Sequence, residues 1–136
     1  MKLVFVSNYI NHHQIPFCNA MYETLEGSFA FIQTEAVEQE RIRMGWKETQ
    51  ELPYLKLYDQ EPEACRRLIQ EARVVLFVGT DEECYIQKRL KAGKAVIRYS
   101  ERLYKTGQWK AASPKGLRKK YHDHTRYRKK NVYLLC

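Results

Sequence analysis

The sequence predicts an α/β protein with a Rossmann-like, doubly wound parallel sheet of about six strands and helices on both faces. Short apolar runs rich in β-branched and aromatic residues recur along the chain, which is typical of strands buried on both faces of a parallel sheet. Segments with helical periodicity separate these runs, and such alternation favours right-handed βαβ crossovers. The length of 136 residues, with 44% hydrophobic and 29% charged residues, predicts one folded domain over residues 1–136.

The predicted strands carry few charges and begin near the start of the chain. They cover residues 2–6, 29–32, 54–57, 74–78, 95–97 and 132–135. The last run, 131–136, is predicted to be a sixth buried strand, and no helix follows it in the sequence. We therefore expect this chain to be the N-terminal part of a longer protein.

The predicted helices differ in how strongly the sequence supports them. The first has an apolar face and ends at Gly27. The second, near 36–45, is weaker because Met44-Gly45-Trp46 breaks its pattern. The third buries Leu68, Ile69 and Ala72, the fourth opens with Thr80-Asp81-Glu82-Glu83 and closes on basic residues before Gly93, and the fifth covers 115–130.

The four cysteines, Cys18, Cys65, Cys84 and Cys136, are widely spaced and form no CxxC pair. We interpret them as reduced thiols and expect no metal site. No apolar run approaches the roughly 20 residues that a membrane-spanning helix needs. These features predict a cytoplasmic protein.

Charge is distributed unevenly along the chain. Residues 1–93 contain 11 Lys or Arg against 14 Asp or Glu, whereas residues 94–136 contain 13 against 2. A basic surface of this strength attracts phosphates on a nucleic acid, an anionic lipid or a phosphorylated substrate, and the charge alone does not distinguish them.

Ligands of open parallel sheets bind outside the carboxyl ends of the strands. The loops that follow the first, fourth and fifth strands are therefore the candidate site, and all three are expected at one rim. The first loop has no glycine, so the GxGxxG arrangement of dinucleotide-binding proteins is absent, and the sequence has no GxxxxGK[ST]. Dinucleotide binding and ATP hydrolysis are therefore not expected.

The first loop contains His12 and His13 beside Asn8 and Asn11. Asparagine side chains bind hydroxyl groups, and histidine accepts a proton near neutral pH, so these residues are candidates for substrate binding and general base catalysis. An alternative is a simple helix start, because Asn11 and Gln14 have capping-box spacing and would leave both histidines exposed in the first turn.

The other two loops supply further candidates for substrate binding. Thr80 and Asp81 follow the fourth strand, although acids in a first helical turn are explained equally by the helix dipole. After the fifth strand, capping and turn patterns do not account for the remaining four candidates, for which surface salt bridging is the alternative. These four are Tyr99, Ser100, Glu101 and Arg102.

The basic segment 115–130 contains eight Lys or Arg and one acid, with Leu117, Tyr121 and His124 on one helical face. This pattern indicates a surface helix with a narrow apolar stripe, suited to an anionic membrane or to phosphates, or an ordinary solvated helix. The candidate contacts are Lys115, Arg118, Lys119, Lys120, Arg126, Arg128, Lys129 and Lys130.

Two stretches resemble a known family. Val-Phe-Val-Ser-Asn-Tyr-Ile-Asn-His-His-Gln-Ile-Pro at 4–16 and Val-Ile-Arg-Tyr-Ser-Glu-Arg-Leu-Tyr-Lys at 96–105 resemble the N-terminal domain of bacterial GT-B glycosyltransferases of family 1 or family 4. In that family the first Rossmann-like domain binds the acceptor and the second binds the nucleotide sugar. The resemblance covers nearly the whole chain in element order, and the family's glycine pair in the first loop is absent here.

The resemblance implies transfer of a hexose from a nucleotide-diphosphate sugar to a surface-polysaccharide or lipid-linked acceptor. It places His12 or His13 where inverting members have their base, and Ser100, Glu101 and Arg102 in a loop facing the cleft. It implies that the donor binds a C-terminal domain absent from this chain, that this domain alone holds no cofactor and is inactive, and that the basic helix contacts the inner face of the membrane.

Two other functions remain open. The basic C-terminal third, with its tyrosines, would suit a nucleic-acid- or phosphate-binding module without catalysis, although no recognised nucleic-acid motif accompanies it. A flavodoxin-like signalling domain normally has a phosphate loop or clustered acids at the strand ends, and the sequence has neither.

Overall fold

The structure is a computed structural model that describes residues 1–46, 51–79, 83–99, 112–127 and 130–135. Strands and helices alternate along these ranges. In chain order they are β1 (Leu3–Ser7), α1 (Ile15–Thr24), β2 (Phe29–Gln33), α2 (Gln39–Arg43), β3 (Leu55–Leu57), α3 (Pro62–Glu71), β4 (Val74–Val78), α4 (Glu83–Lys91), β5 (Ala95–Tyr99), α5 (Pro114–Lys120), a π-helical turn (Tyr121–Thr125) and β6 (Val132–Leu135).

The six strands form one parallel sheet in the order β3-β2-β1-β4-β5-β6. This is the doubly wound order of Rossmann-like folds, and the predicted fold class is confirmed. The order reverses between β1 and β4, where the crossovers leave the sheet in opposite directions. Such a reversal opens a crevice beyond the carboxyl ends of the two strands.

Helices cover both faces of the sheet because side chains alternate along each strand. On one face Val4 and Val6 join a core cluster that includes Ile69 of α3 and Ile86 of α4. On the other face Phe5 joins a cluster that includes Cys18 of α1. The apolar face predicted for the first helix is thus confirmed, because its other members pack against this second cluster. These members are Ile15, Met21, Tyr22 and Leu25.

The second and fifth helices are shorter than their patterns predict. After α2 the chain reverses at Gly45, whose φ of +92° favours glycine. Ser113 caps α5, and its Oγ accepts a hydrogen bond from the Gly116 amide at 3.1 Å. The helix gives way to the π-helical turn instead of continuing to residue 130. Beyond this turn the buried Tyr127 packs into the core, an anchor that a periodic pattern does not reveal.

The prediction that the last strand is buried is wrong. β6 is an edge strand that pairs only with β5, and the side chains of Tyr133, Leu134 and Leu135 are exposed. Only its first residue, Val132, packs against the core cluster. An edge strand lacks a neighbouring strand on one side, and the apolar composition of β6 does not predict that it occupies the edge of the sheet.

Candidate functional site

The carboxyl ends of the strands meet at one edge of the sheet, as the parallel topology requires. Ser7 at the end of β1 is in register with Val78 of β4, which is in register with Tyr99 of β5. Asn8 and Gly79 lie next to each other across the reversal point, because a Cβ built on Gly79 would be 3.9 Å from the Asn8 Oδ1 atom. Asn8 and Gly79 therefore both lie at the point where the strand order reverses.

The loop after β1 is tied to the loop after β2 by hydrogen bonds. The buried Gln33 accepts the Ile10 amide proton at its Oε1 atom, over 3.1 Å. The Asn8 carbonyl oxygen accepts hydrogen bonds from the amides of Thr34 and Glu35, at 3.1 and 2.8 Å. These contacts tie the loop after β1 to the loop after β2, and a binding site requires such supporting contacts for precise positioning.

Asn11 and Gln14 form the predicted capping box. The Asn11 Oδ1 atom accepts hydrogen bonds from the amides of His13 and Gln14, and the Gln14 Oε1 atom accepts one from the Asn11 amide. His12 and His13 are exposed, as this interpretation predicts, but they lie in the turn of residues 12–14 that leads into α1 and not in the helix itself. The Asn11 side-chain oxygen is therefore committed to the helix start, and the two histidine rings face solvent at the rim.

The histidines belong to a group of ring and guanidinium contacts that we call the rim cluster, made of Tyr9, His12, His13, Arg41 and Trp46. The rings of His12 and His13 have centroids 3.8 Å apart, and the His12 ring lies edge-on to Trp46 at 5.5 Å. Trp46 also meets the ring of Tyr9 at 6.0 Å. The Arg41 Cζ atom lies 5.0 Å from the Tyr9 centroid and 5.1 Å from that of Trp46.

Sequence reasoning missed three members of this cluster, Tyr9, Arg41 and Trp46. In the sequence, Met44-Gly45-Trp46 interrupts a helical pattern, and this pattern assigns no functional role to Trp46. Its closeness to His12 depends on how the loop after β2 folds over the loop after β1, and these positions are more than 30 residues apart in sequence. An Arg and a Trp beside a helix-ending glycine are the only local signal, and the structure leaves both side chains half-buried.

Of the remaining predicted site residues, the structure describes Tyr99. Tyr99 is exposed at the end of β5, two strands from β1 and thus about 10 Å away along the sheet edge. Thr80, Asp81, Ser100, Glu101 and Arg102 lie outside the described residues, so their predicted roles stay predictions.

The basic segment presents both charge and apolar surface. Lys115, Arg118 and Lys120 are exposed on α5, beside the exposed Leu117 and Tyr121. Further along, the Arg126 guanidinium and the exposed Lys130 ammonium lie over the Tyr127 ring, at 5.4 and 5.7 Å. The side chain of Lys119, and Arg128 and Lys129, lie outside what the structure describes. His124 is likewise not described beyond its backbone.

Within the described ranges, no three His, Cys, Asp or Glu side chains converge to form a metal site. No helix in the same ranges is long and apolar enough to cross a bilayer. Chemically, the rim cluster offers two exposed imidazoles for proton transfer, aromatic surface for stacking and one guanidinium.

Comparison with known proteins found no matching family model, no matching curated protein and no matching solved structure.

Proposed function

We propose that this chain is the acceptor-binding domain of a glycosyltransferase that moves a hexose from a nucleotide-diphosphate sugar to a surface-polysaccharide or lipid-linked acceptor. The observation that carries the proposal is the position of His12 and His13, exposed beside aromatic rings at the carboxyl edge of β1. Ligand sites of this fold class lie at that edge. The resemblance of residues 4–16 to GT-B enzymes supports the same assignment.

The chemistry follows from these groups. In an inverting transfer, one of the two imidazoles accepts the proton of an acceptor hydroxyl. The hydroxyl oxygen attacks the anomeric carbon of the donor, the bond from that carbon to the diphosphate oxygen breaks, and the nucleoside diphosphate leaves with the bonding electron pair. Trp46, which is half-buried at the rim, would hold the apolar face of a sugar ring near the base, while the buried Tyr9 supports Trp46 from below.

The donor-binding residues of such an enzyme would lie in a second domain, so turnover must be measured on the product of the complete coding sequence. We expect acceptor-dependent release of nucleoside diphosphate from one member of a panel of nucleotide sugars. His12→Asn or His13→Asn should lower kcat about 100-fold or more, because general base catalysis contributes that much. His122→Asn, an exposed histidine on the π-helical turn, is the matched control and should keep full activity.

Two outcomes test different parts of the proposal, the histidine base and the glycosyltransferase activity itself. Full turnover in the variant that combines His12→Asn and His13→Asn would exclude a histidine base. Absence of release from every donor in the panel, by the complete gene product with saccharide acceptors present, would contradict the glycosyltransferase assignment.

A second candidate function is a phosphate- or nucleic-acid-binding module without catalysis. Its specific support is the exposed basic surface of α5, where Tyr121 offers a ring for base stacking beside Lys120 and Arg118. Binding to single-stranded nucleic acid that weakens steeply with salt, together with no turnover, would favour this function.

A further inference from the structure

Arg41 is the one cation of the rim cluster, and it is held in place on three sides. Its guanidinium lies against both Tyr9 and Trp46, and its Nε atom donates to the Glu38 carboxylate at 3.0 Å. Stacking and the ion pair fix the orientation of a side chain that otherwise has many rotamers, so less entropy is lost when a ligand binds.

The terminal nitrogens of Arg41 are available for a ligand. Glu38 occupies the Nε edge, and among the described residues no acceptor is hydrogen-bonded to either Nη atom. The side chain retains 35% of its surface exposed to solvent. A guanidinium presents its Nη atoms as a planar pair of donors that matches an oxyanion such as a carboxylate or a phosphate.

We propose that Arg41 binds an oxyanion on the acceptor, so that the acceptor is an acidic saccharide whose ring stacks in the rim cluster. The anion is either the carboxylate of a sugar acid or a phosphate ester on the sugar. This inference rests on the proposed function, which places the acceptor at this rim, and it adds the charge of the acceptor and the residue that selects it. Arg41 is a binding residue in this scheme, whereas the histidines act on the hydroxyl.

Trp46 provides a direct readout of binding. The chain has two tryptophans, Trp46 and Trp109, so Trp109→Phe leaves Trp46 as the only one. The fluorescence of this variant is titrated with glucuronate, glucose 1-phosphate and glucose. We expect one or both anionic sugars to bind at least 10-fold more tightly than glucose. The stronger of the two identifies the anion as carboxylate or phosphate.

Arg41→Gln and Arg43→Gln, each made in the Trp109→Phe background, form a matched pair. Both remove one positive charge from α2, but Arg43 is exposed and lies outside the rim cluster. Arg41→Gln should weaken binding of the anionic sugar at least 10-fold and leave glucose binding unchanged, whereas Arg43→Gln should change neither. Far-UV circular dichroism and urea unfolding establish that both variants are folded.

Equal effects of the two substitutions, or glucuronate and glucose 1-phosphate binding no more tightly than glucose, would overturn the assignment of Arg41. The binding assay is independent of turnover. Selective anion binding without turnover would contradict the proposed function alone, and turnover with neutral acceptors alone would contradict this inference while leaving the proposed function in place.

Discussion

Arg89 is buried, although its position in the sequence predicts an exposed side chain. It stands among the basic residues that end α4, where surface exposure is expected, yet its side chain is 1% exposed. Its guanidinium donates hydrogen bonds to the carbonyl oxygens of Ile69, Ala72 and Ala95, at 2.6, 3.0 and 2.7 Å. It thereby satisfies carbonyl groups left without partners at the end of α3 and ties that helix to β5.

The surroundings of Arg89 explain how a buried cation is tolerated. Carbonyl oxygens at the end of α3 carry the negative end of the helix dipole, which favours a positive charge there. Burial lowers the pKa of Arg89 to about 10, so the side chain stays charged at neutral pH. Lys94 adds a second cation at the same helix end, donating to the Gln70 and Glu71 carbonyl oxygens.

We predict that Arg89→Met lowers the free energy of unfolding by about 3 kcal/mol, because several buried carbonyl oxygens lose their donors. Urea unfolding followed by circular dichroism measures the change. Lys88→Met, one position earlier and exposed, is the control and should shift stability by less than about 0.5 kcal/mol. Similar losses in the two variants would mean that the carbonyl contacts add little.

The buried thiols predict a pH dependence. Burial raises the pKa of Cys18 from 9.0 to about 12 and that of Cys65 from 9.0 to about 11. Between pH 9.0 and the raised pKa of each thiol, the thiol is ionised in the unfolded chain and still protonated in the folded chain. The free energy of unfolding therefore falls as the pH rises above about 9.

Cys18→Ala should therefore reduce the loss of stability between pH 8 and pH 10 by about 1 kcal/mol relative to the parent chain. Urea unfolding at the two pH values measures it, and Cys84→Ala, which keeps both buried thiols, should behave like the parent. An unchanged pH dependence in Cys18→Ala would show that this thiol ionises alike in the folded and unfolded states.

The structure confirms that Cys18, Cys65 and Cys84 are free, whereas Cys136 lies outside the described residues.

At the scale of elements, the start of α1 joins stability and site geometry. The reciprocal hydrogen bonds of Asn11 and Gln14 order the turn that leads into the helix, and this turn carries His12 and His13. The helix buries Cys18 against the sheet, so the histidines directly precede an element fixed by the core. Both the cap and the apolar face are local in sequence, and both were predictable.

We predict that Asn11→Ala lowers the free energy of unfolding by about 1 kcal/mol, the usual cost of removing a helix cap. Asn11→Asp should restore most of it, since aspartate also accepts the two amide protons. Glu23→Ala, at an exposed position of α1, is the control in urea unfolding. If Asn11→Ala matched this control, the cap would contribute no stability and the histidines would be held by other contacts.

At the scale of the whole molecule, charge is divided between the two ends of the chain. The exposed cations described on α5 lie beside Leu117 and Tyr121, in the segment 94–136 that carries 13 Lys or Arg against 2 Asp or Glu. An amphipathic basic surface of this kind binds anionic lipid through both charge and buried apolar area. We propose that this surface faces the membrane and brings the rim cluster to lipid-linked acceptors.

This proposal predicts binding to vesicles of phosphatidylcholine with phosphatidylserine, and none to phosphatidylcholine alone, in sedimentation at low salt. Leu117→Glu with Tyr121→Glu should weaken binding about 10-fold or more, because both apolar area and net charge are lost. Met44→Glu with Phe17→Glu places the same charges on exposed apolar residues of the N-terminal half and is the control. Absence of binding to the anionic vesicles would exclude a membrane role.

The sequence alone determined those features that depend on residues close together in the chain. Alternating apolar and periodic segments specify strands and helices because each pattern depends on neighbours within a few residues, and the Asn11–Gln14 cap follows the same logic. These patterns were sufficient for the fold class, and the general rule for open parallel sheets then points to the carboxyl edge as the candidate site.

Only the tertiary structure decided which distant residues meet. It placed Trp46 and Arg41 over the loop after β1, buried Arg89 at the end of α3, and left β6 at an exposed edge. Each outcome depends on how strands are ordered and how loops cross. No local pattern encodes these choices, because their free energy comes from contacts between segments far apart in the chain.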